Sequence, residues 1–138
     1  CLLTLVAMIA GCAKSDAVNR VEVRGTVTFD GMPLESGSIV LTPDEATTGP
    51  SVGGPIQAGK FHLPAAEGPA AGKYTVMIQA SRRTGRQVEA GKGAREPTAI
   101  VDEYEIFIPA KYNSKTELAA KIGPKSGELN FDLKADEK

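Results

Sequence analysis

Four stretches of this chain alternate apolar and polar residues one for one. That period of two restricts the fold more than any other feature. Val21, Val23, Val27 and Phe29 alternate with Glu22, Arg24, Thr26, Thr28 and Asp30. Tyr74, Val76, Ile78 and Ala80 alternate with Lys73, Thr75 and Gln79, with Met77 as an apolar residue on the polar side. Leu118, Ala120 and Ile122 alternate with Glu117, Ala119 and Lys121, and Leu129, Phe131 and Leu133 alternate with Glu128, Asn130, Asp132 and Lys134. Successive side chains on a strand point to opposite faces, so each stretch predicts a strand with one buried and one wet face. Ser38 to Thr42, Pro55 to Gln57 and Lys60 to Leu63 are shorter candidates. Tyr104 to Ile108 is another, and it predicts Tyr104, Ile106 and Ile108 together on an inward face.

Turn chemistry separates these stretches. Asp30-Gly31 supplies the positive φ of a tight turn, and Ala58-Gly59 between two short strands predicts a hairpin. Gly68-Pro69 and Gly72 punctuate the approach to Tyr74, and Gly123-Pro124 with Ser126-Gly127 predicts the turn of a last hairpin. Gly (15) and Pro (9) are frequent for 138 residues, which suits many short strands. The expectation is an all-β chain built as an antiparallel β-sandwich. One short helical turn, capped by Ser114, is expected over Ser114 to Ala120. The connection from Ser81 to Ala99 is the least regular part, with Gly85, Gly91, Gly93 and Pro97 and few large apolar residues, so it reads as a long loop.

The first twelve residues address a different question. Leu2 to Ile9 is a mostly apolar run without charge, closed by Ile9-Ala10-Gly11-Cys12. It is too short to span a bilayer, which takes about 20 residues, and has the length of a signal-peptide core. It resembles the lipobox of a bacterial lipoprotein signal, which implies lipidation of Cys12. The chain opens on Cys1 rather than Met and no basic start precedes the run, as expected of a signal truncated at its start. The expected organisation is a signal over 1–11, a polar tether over 12–20 and one sandwich domain over 21–135. Only two cysteines are present, so removal of Cys1 with the signal leaves no disulfide. Each buried acyl CH2 contributes about 0.8 kcal/mol and one chain holds only marginally, but lipoproteins carry two or three. The expected location is the cell envelope after export, and Ala13 behind the cysteine favours the outer membrane.

The glycine turns add a second resemblance. Val23-x-Gly25-x-Val27 leads into Gly31-x-Pro33-Leu34 and Gly37-x-Ile39, followed by Gly59-Lys60-Phe61-x-Leu63 and Gly72-Lys73-Tyr74-Thr75-Val76. Their order resembles the carboxypeptidase regulatory-like domains, which share a transthyretin-like (immunoglobulin-like) sandwich. With the lipobox and Ile108-Pro109-Ala110-Lys111-Tyr112-Asn113, the chain is similar to the small transthyretin-like lipoproteins of planctomycete-type bacteria. That resemblance implies a fold and a surface location, and no catalytic positions. An enzyme branch of the same fold hydrolyses 5-hydroxyisourate with several histidines and a C-terminal Tyr-Arg-Gly-Ser. This chain instead ends its last strand as Phe131-Asp132-Leu133-Lys134.

Residues able to do chemistry are sparse. His62 is the single histidine, and alternation puts it on the wet face between Phe61 and Leu63. No Ser, Cys or Asp is placed by sequence to partner it, and zinc would want more His or Cys. Asp102, Glu103 and Glu105 form the best carboxylate cluster, in a spacing that matches no calcium loop. Arg82, Arg83 and Arg86, with Lys92 and Arg95, make the 81–99 connection basic and mark it as a candidate site for an anionic ligand. No aromatics interleave with these arginines, and the formal net charge is −1, which argues against nucleic acid. No cofactor or metal is expected.

The expected function is a lipid-anchored envelope protein that acts as a non-enzymatic binding or structural module. Its partners would be the membrane, through the lipid on Cys12, and an envelope protein or polysaccharide. Rival readings are a carbohydrate- or anionic-polymer-binding module using the 81–99 loop, and a hydrolase using Asp102, Glu103 or Glu105.

Overall fold

The computed structural model describes residues 18–90, 99–125 and 127–136. Cys12, the signal and most of the tether lie outside the described residues. The strands within it are β1 (Val23–Phe29), β2 (Met32–Pro33), β3 (Ser36–Pro43), β4 (Val52–Gln57), β5 (Lys60–Leu63), β6 (Gly72–Gln79), β7 (Ser81–Ala90), β8 (Ala99–Ile106), β9 (Ala119–Ile122) and β10 (Gly127–Leu133). The chain is an all-β sandwich, as the alternation predicts.

Burial follows the period of two. Val21, Val23 and Val27 of the first stretch are buried, as are Tyr74, Val76 and Ile78 of β6, with Ile39, Leu41, Ile56, Phe61, Leu63, Ile122 and Leu133 from other strands. These side chains form one core. Tyr74 is inside because its hydroxyl has a partner, donating to the Ala70 carbonyl at 3.0 Å. Burial pushes that phenol up from its usual range.

Seven strands run in the order β10-β1-β5-β4-β3-β6-β9, with β2 added to β1. Two expectations about this sheet are corrected. The pairing is not antiparallel throughout, because β1 and β10 run parallel from Val23↔Gly127 to Phe29↔Leu133. Nor do β9 and β10 form a hairpin, since they occupy opposite ends of the strand order. The step from Ile122 to Gly127 spans at most about 18 Å. The sheet must therefore fold over so that its two ends approach across the core. Ile122 and Leu133 both enter that core.

The tight turns form as their residues dictate. Asp30 and Gly31 have φ of 50° and 81°, and Ala58 and Gly59 have 49° and 73°. Both pairs have the positive φ at both central positions that matches the twist of a two-residue hairpin. Ala58 holds its place because its amide donates to Glu35 and that of Gly59 to Leu34, each at 2.8 Å. An alanine is poorly suited to this region and Asn-Gly is the preferred pair. Ala58→Asn should therefore stabilise the fold by roughly 0.5 to 1 kcal/mol, read as a higher midpoint in urea.

The helical turn expected over Ser114 to Ala120 does not form. A single 3-10 turn occupies Ala110–Tyr112 instead, and β9 starts at Ala119. Asn113 decides this. Its side-chain amide donates to the Ile108 carbonyl at 3.0 Å, and its Oδ1 accepts from the Ser114 amide. Thr116 and Leu118 then bond the backbone of Val76, so the chain joins the edge of β6. The Tyr112 hydroxyl accepts from the Lys134 amide at 3.1 Å and ties the turn to the end of β10.

Candidate interaction surface on the projecting hairpin

The segment read as a loop is not one. Ser81 to Ala90 forms β7 and pairs antiparallel with β8 as a separate two-stranded sheet. The pairing runs from Ser81↔Ile106 to Ala90↔Ala99, with a register shift between Arg83 and Gln87. Gly85 lies inside the shift with φ of 83°, where its lack of a side chain lets the strand bulge. Residues 91–98 lie outside the described residues.

Ion pairs cross between the two ladder-paired strands. Arg82 donates to Glu105 at 2.7 Å, Arg86 lies 2.8 Å from Glu103, and Arg83 lies 3.3 Å from Asp102. The three candidate anion-binding arginines are thus brought together on one strand, but each already faces a carboxylate. The candidate carboxylates Asp102, Glu103 and Glu105 are occupied by the same pairs. Among the described residues no three His, Cys, Asp or Glu side chains converge as a metal site would require. Thr84 donates to Glu103 at 2.6 Å, and this bond, with Arg86 beside it, holds the Glu103 carboxyl below the ordinary glutamate range.

A carboxyl lowered in the folded state stabilises it above the ordinary glutamate range, and that share is lost as pH falls through the lowered value. The ion pairs are exposed, so salt weakens them too. Amide exchange of the β7 and β8 backbone should accelerate both at acid pH and in about 1 M salt, while β6 stays protected.

Tyr104 and Ile106 depart from the inward face expected of them. Ile108 is buried, but Tyr104 is 56% exposed and Ile106 69%. Opposed residues in an antiparallel pair share a face. One face of the ribbon therefore carries Ile100, Asp102, Tyr104 and Ile106 opposite Glu89, Gln87, Arg83 and Ser81, with Arg83 lying 5.9 Å over the Tyr104 ring. The other carries the Val88–Val101 pair beside the Arg82–Glu105 pair. Among the described residues the exposed large apolar side chains are Met32 and five of this hairpin: Val88, Ile100, Val101, Tyr104 and Ile106. The root is fixed to the body, because Arg82 lies over the Phe107 ring at 5.1 Å and Phe107 packs edge-on against Phe29 at 5.3 Å.

His62 stands on the wet face, as alternation predicts, but with a partner that sequence spacing did not reveal. Its Nε2 lies 2.7 Å from Oε1 of Glu22, which also accepts from Arg24. The pairing of β1 with β5 sets Arg24 directly opposite His62 and so brings the ring to Glu22, forty residues away in the chain. The Arg24 guanidinium, with the His62 ring, holds the Glu22 carboxyl below its usual range. No nucleophilic hydroxyl or thiol is hydrogen-bonded to the ring among the described residues.

The chain matches no protein-family model, and no curated protein matches it significantly. No helix among the described residues is long and apolar enough to cross a membrane.

Proposed function

We propose that this protein is a lipid-anchored module of the bacterial cell envelope that works by binding rather than catalysis. In this reading it engages an envelope protein through the β7–β8 hairpin. The observation that carries the reading is the exposure of Ile100, Tyr104 and Ile106 on one face of a two-stranded sheet that is separate from the well-packed body. Exposed apolar side chains gathered on one element mark an interaction surface, whereas scattered ones do not. The Ile9-Ala10-Gly11-Cys12 sequence supports the anchor.

The occupant is a partner protein rather than a second copy. The arginine and carboxylate rows and the bulge guard the open strand edges against pairing with a second copy. Anionic polymer is a weaker candidate for the same surface, since Arg82, Arg83 and Arg86 are neutralised by their pairs.

Two experiments test the reading. Photo-crosslinkers at Ile100 and Ile106 in intact envelopes should give a discrete adduct that Tyr104→Ser abolishes, while a crosslinker at exposed Thr42 gives none. Equal adducts from all three positions, or none from the hairpin, would overturn the contact surface. Cys12→Ala should release the protein from membranes. Unchanged membrane partition would overturn the anchor.

A further inference from the structure

A second surface lies on the body of the sandwich, away from the hairpin. On the wet face of β1, β4, β5 and β10 a groove of about 600 Å3 is lined by Arg24, Thr26, Gln57, Lys60, His62 and Glu128, among others. The other two cavities described on the surface enclose about 400 and 300 Å3. We propose that this groove binds an anionic sugar, meaning a sugar ring that carries a carboxylate or a phosphate.

The strand register builds the site. Arg24 lies directly across from His62, and Thr26 directly across from Lys60. Gln57 faces Lys60 from β4, and Glu128 faces Arg24 from β10. Opposed side chains start about 5 Å apart and diagonal ones about 7 Å. Arg24, His62 and Lys60 therefore occupy three corners of a patch as wide as a single sugar ring. Thr26 is the fourth corner, held in place by donating to Asn130 at 2.7 Å.

Three observations assign the ligand chemistry. First, Lys60 has no carboxylate within ion-pair distance among the described residues, in contrast to Arg82, Arg83 and Arg86 of the hairpin. Second, Glu22 anchors both Arg24 and His62 through one oxygen and is not part of the lining. Glu22 offsets the charge of Arg24 as the hairpin carboxylates do for their arginines, so Lys60 carries the unpaired charge, and the other guanidinium N–H groups and the second ring nitrogen remain able to hydrogen-bond a ligand. Third, Lys60 lies on β5, while Glu128 lies on β10, on the other side of β1. A carboxylate there accepts hydrogen bonds from hydroxyls and repels a bare dianion. An oxyanion beside Lys60 with hydroxyls toward Glu128 and Gln57 satisfies both halves. The volume falls within the roughly 300 to 1,000 Å3 of small-molecule sites.

The site is independent of the proposed hairpin contact, and its test involves neither the partner nor the anchor. The 15N-labelled chain is titrated with glucuronate, glucose 6-phosphate, glucose and inorganic phosphate, and amide shifts are followed. Saturable shifts at Arg24, Thr26, Lys60 and His62 are expected with the anionic sugars and not with glucose. Saturation by glucuronate alone assigns a carboxylate, by glucose 6-phosphate alone a phosphate, and by both an oxyanion of either kind. Lys60→Ala should weaken binding about fivefold, the range of an exposed ion pair, and Lys60→Arg should restore it. The proposal is overturned if neither sugar saturates, if glucose binds equally, or if inorganic phosphate binds as tightly as glucose 6-phosphate. It is also overturned if Lys60→Ala, with a dispersed spectrum, binds like the parent chain.

Discussion

Gly25→Ala should all but abolish the folded sandwich, with an expected loss of about 3 kcal/mol or more. Gly25 sits in the middle of β1 between two neighbours, paired with Phe61 of β5 and Leu129 of β10. A Cβ placed there would lie 1.8 Å from the Leu129 carbonyl oxygen and 2.8 Å from the Phe61 ring. The closer atom is backbone, and moving it would break the parallel pairing of β1 with β10 that delivers Leu133 to the core. No rotamer change relieves such a clash, so overpacking by one methyl acts on the whole sheet end. Gly123→Ala is the matching control, because nothing lies within 4 Å of a Cβ at that position. Its effect should stay within about 0.5 kcal/mol. Equal urea midpoints for Gly25→Ala and Gly123→Ala would show that β1 and β10 do not meet in this register.

Asn113→Ala should cost about 2 kcal/mol, the next largest effect. Asn113 is the buried polar residue of the described chain. Its side-chain amide satisfies the Ile108 carbonyl and its carbonyl satisfies the Ser114 amide, so truncation orphans two backbone groups at once. Leaving a buried polar group unpaired costs more than the net value of the bond that is lost. Asn113→Asp should be no better than alanine. It keeps an acceptor for Ser114 but sets a carboxylate against the Ile108 carbonyl oxygen. Both variants should also loosen Tyr112 from Lys134, visible as faster exchange of the Lys134 amide. Full stability of Asn113→Asp would mean that the bond to Ile108 contributes nothing.

The strands that were legible in the residue order share one property, a buried face. Val23 and Val27, or Val76 and Ile78, alternate with polar residues because one side of each strand meets the core. Water contact and burial then write the period of two directly into the chain. The Asp30-Gly31 and Ala58-Gly59 turns were legible because positive φ selects residue types locally. The hairpin strands lack this property. Neither face of β7 is covered, so no apolar period marks Ser81 to Ala90, and its arginines and Gly85 read as a loop. Tyr104 and Ile106 showed the opposite error, because an apolar alternation does not say whether a second layer exists to cover it.

Local chemistry in the chain thus dictated an all-strand body, its tight turns and the wet position of His62, since each depends on neighbours only a few residues away. Pairing between distant segments dictated the rest. Whether β10 joins β9 or β1, which carboxylates meet Arg82, Arg83 and Arg86, and that Glu22 reaches His62 all follow from long-range register. Backbone hydrogen bonds are alike at every position along a strand. Register is therefore chosen by how all the inward faces fit one core together, and no single segment carries that information.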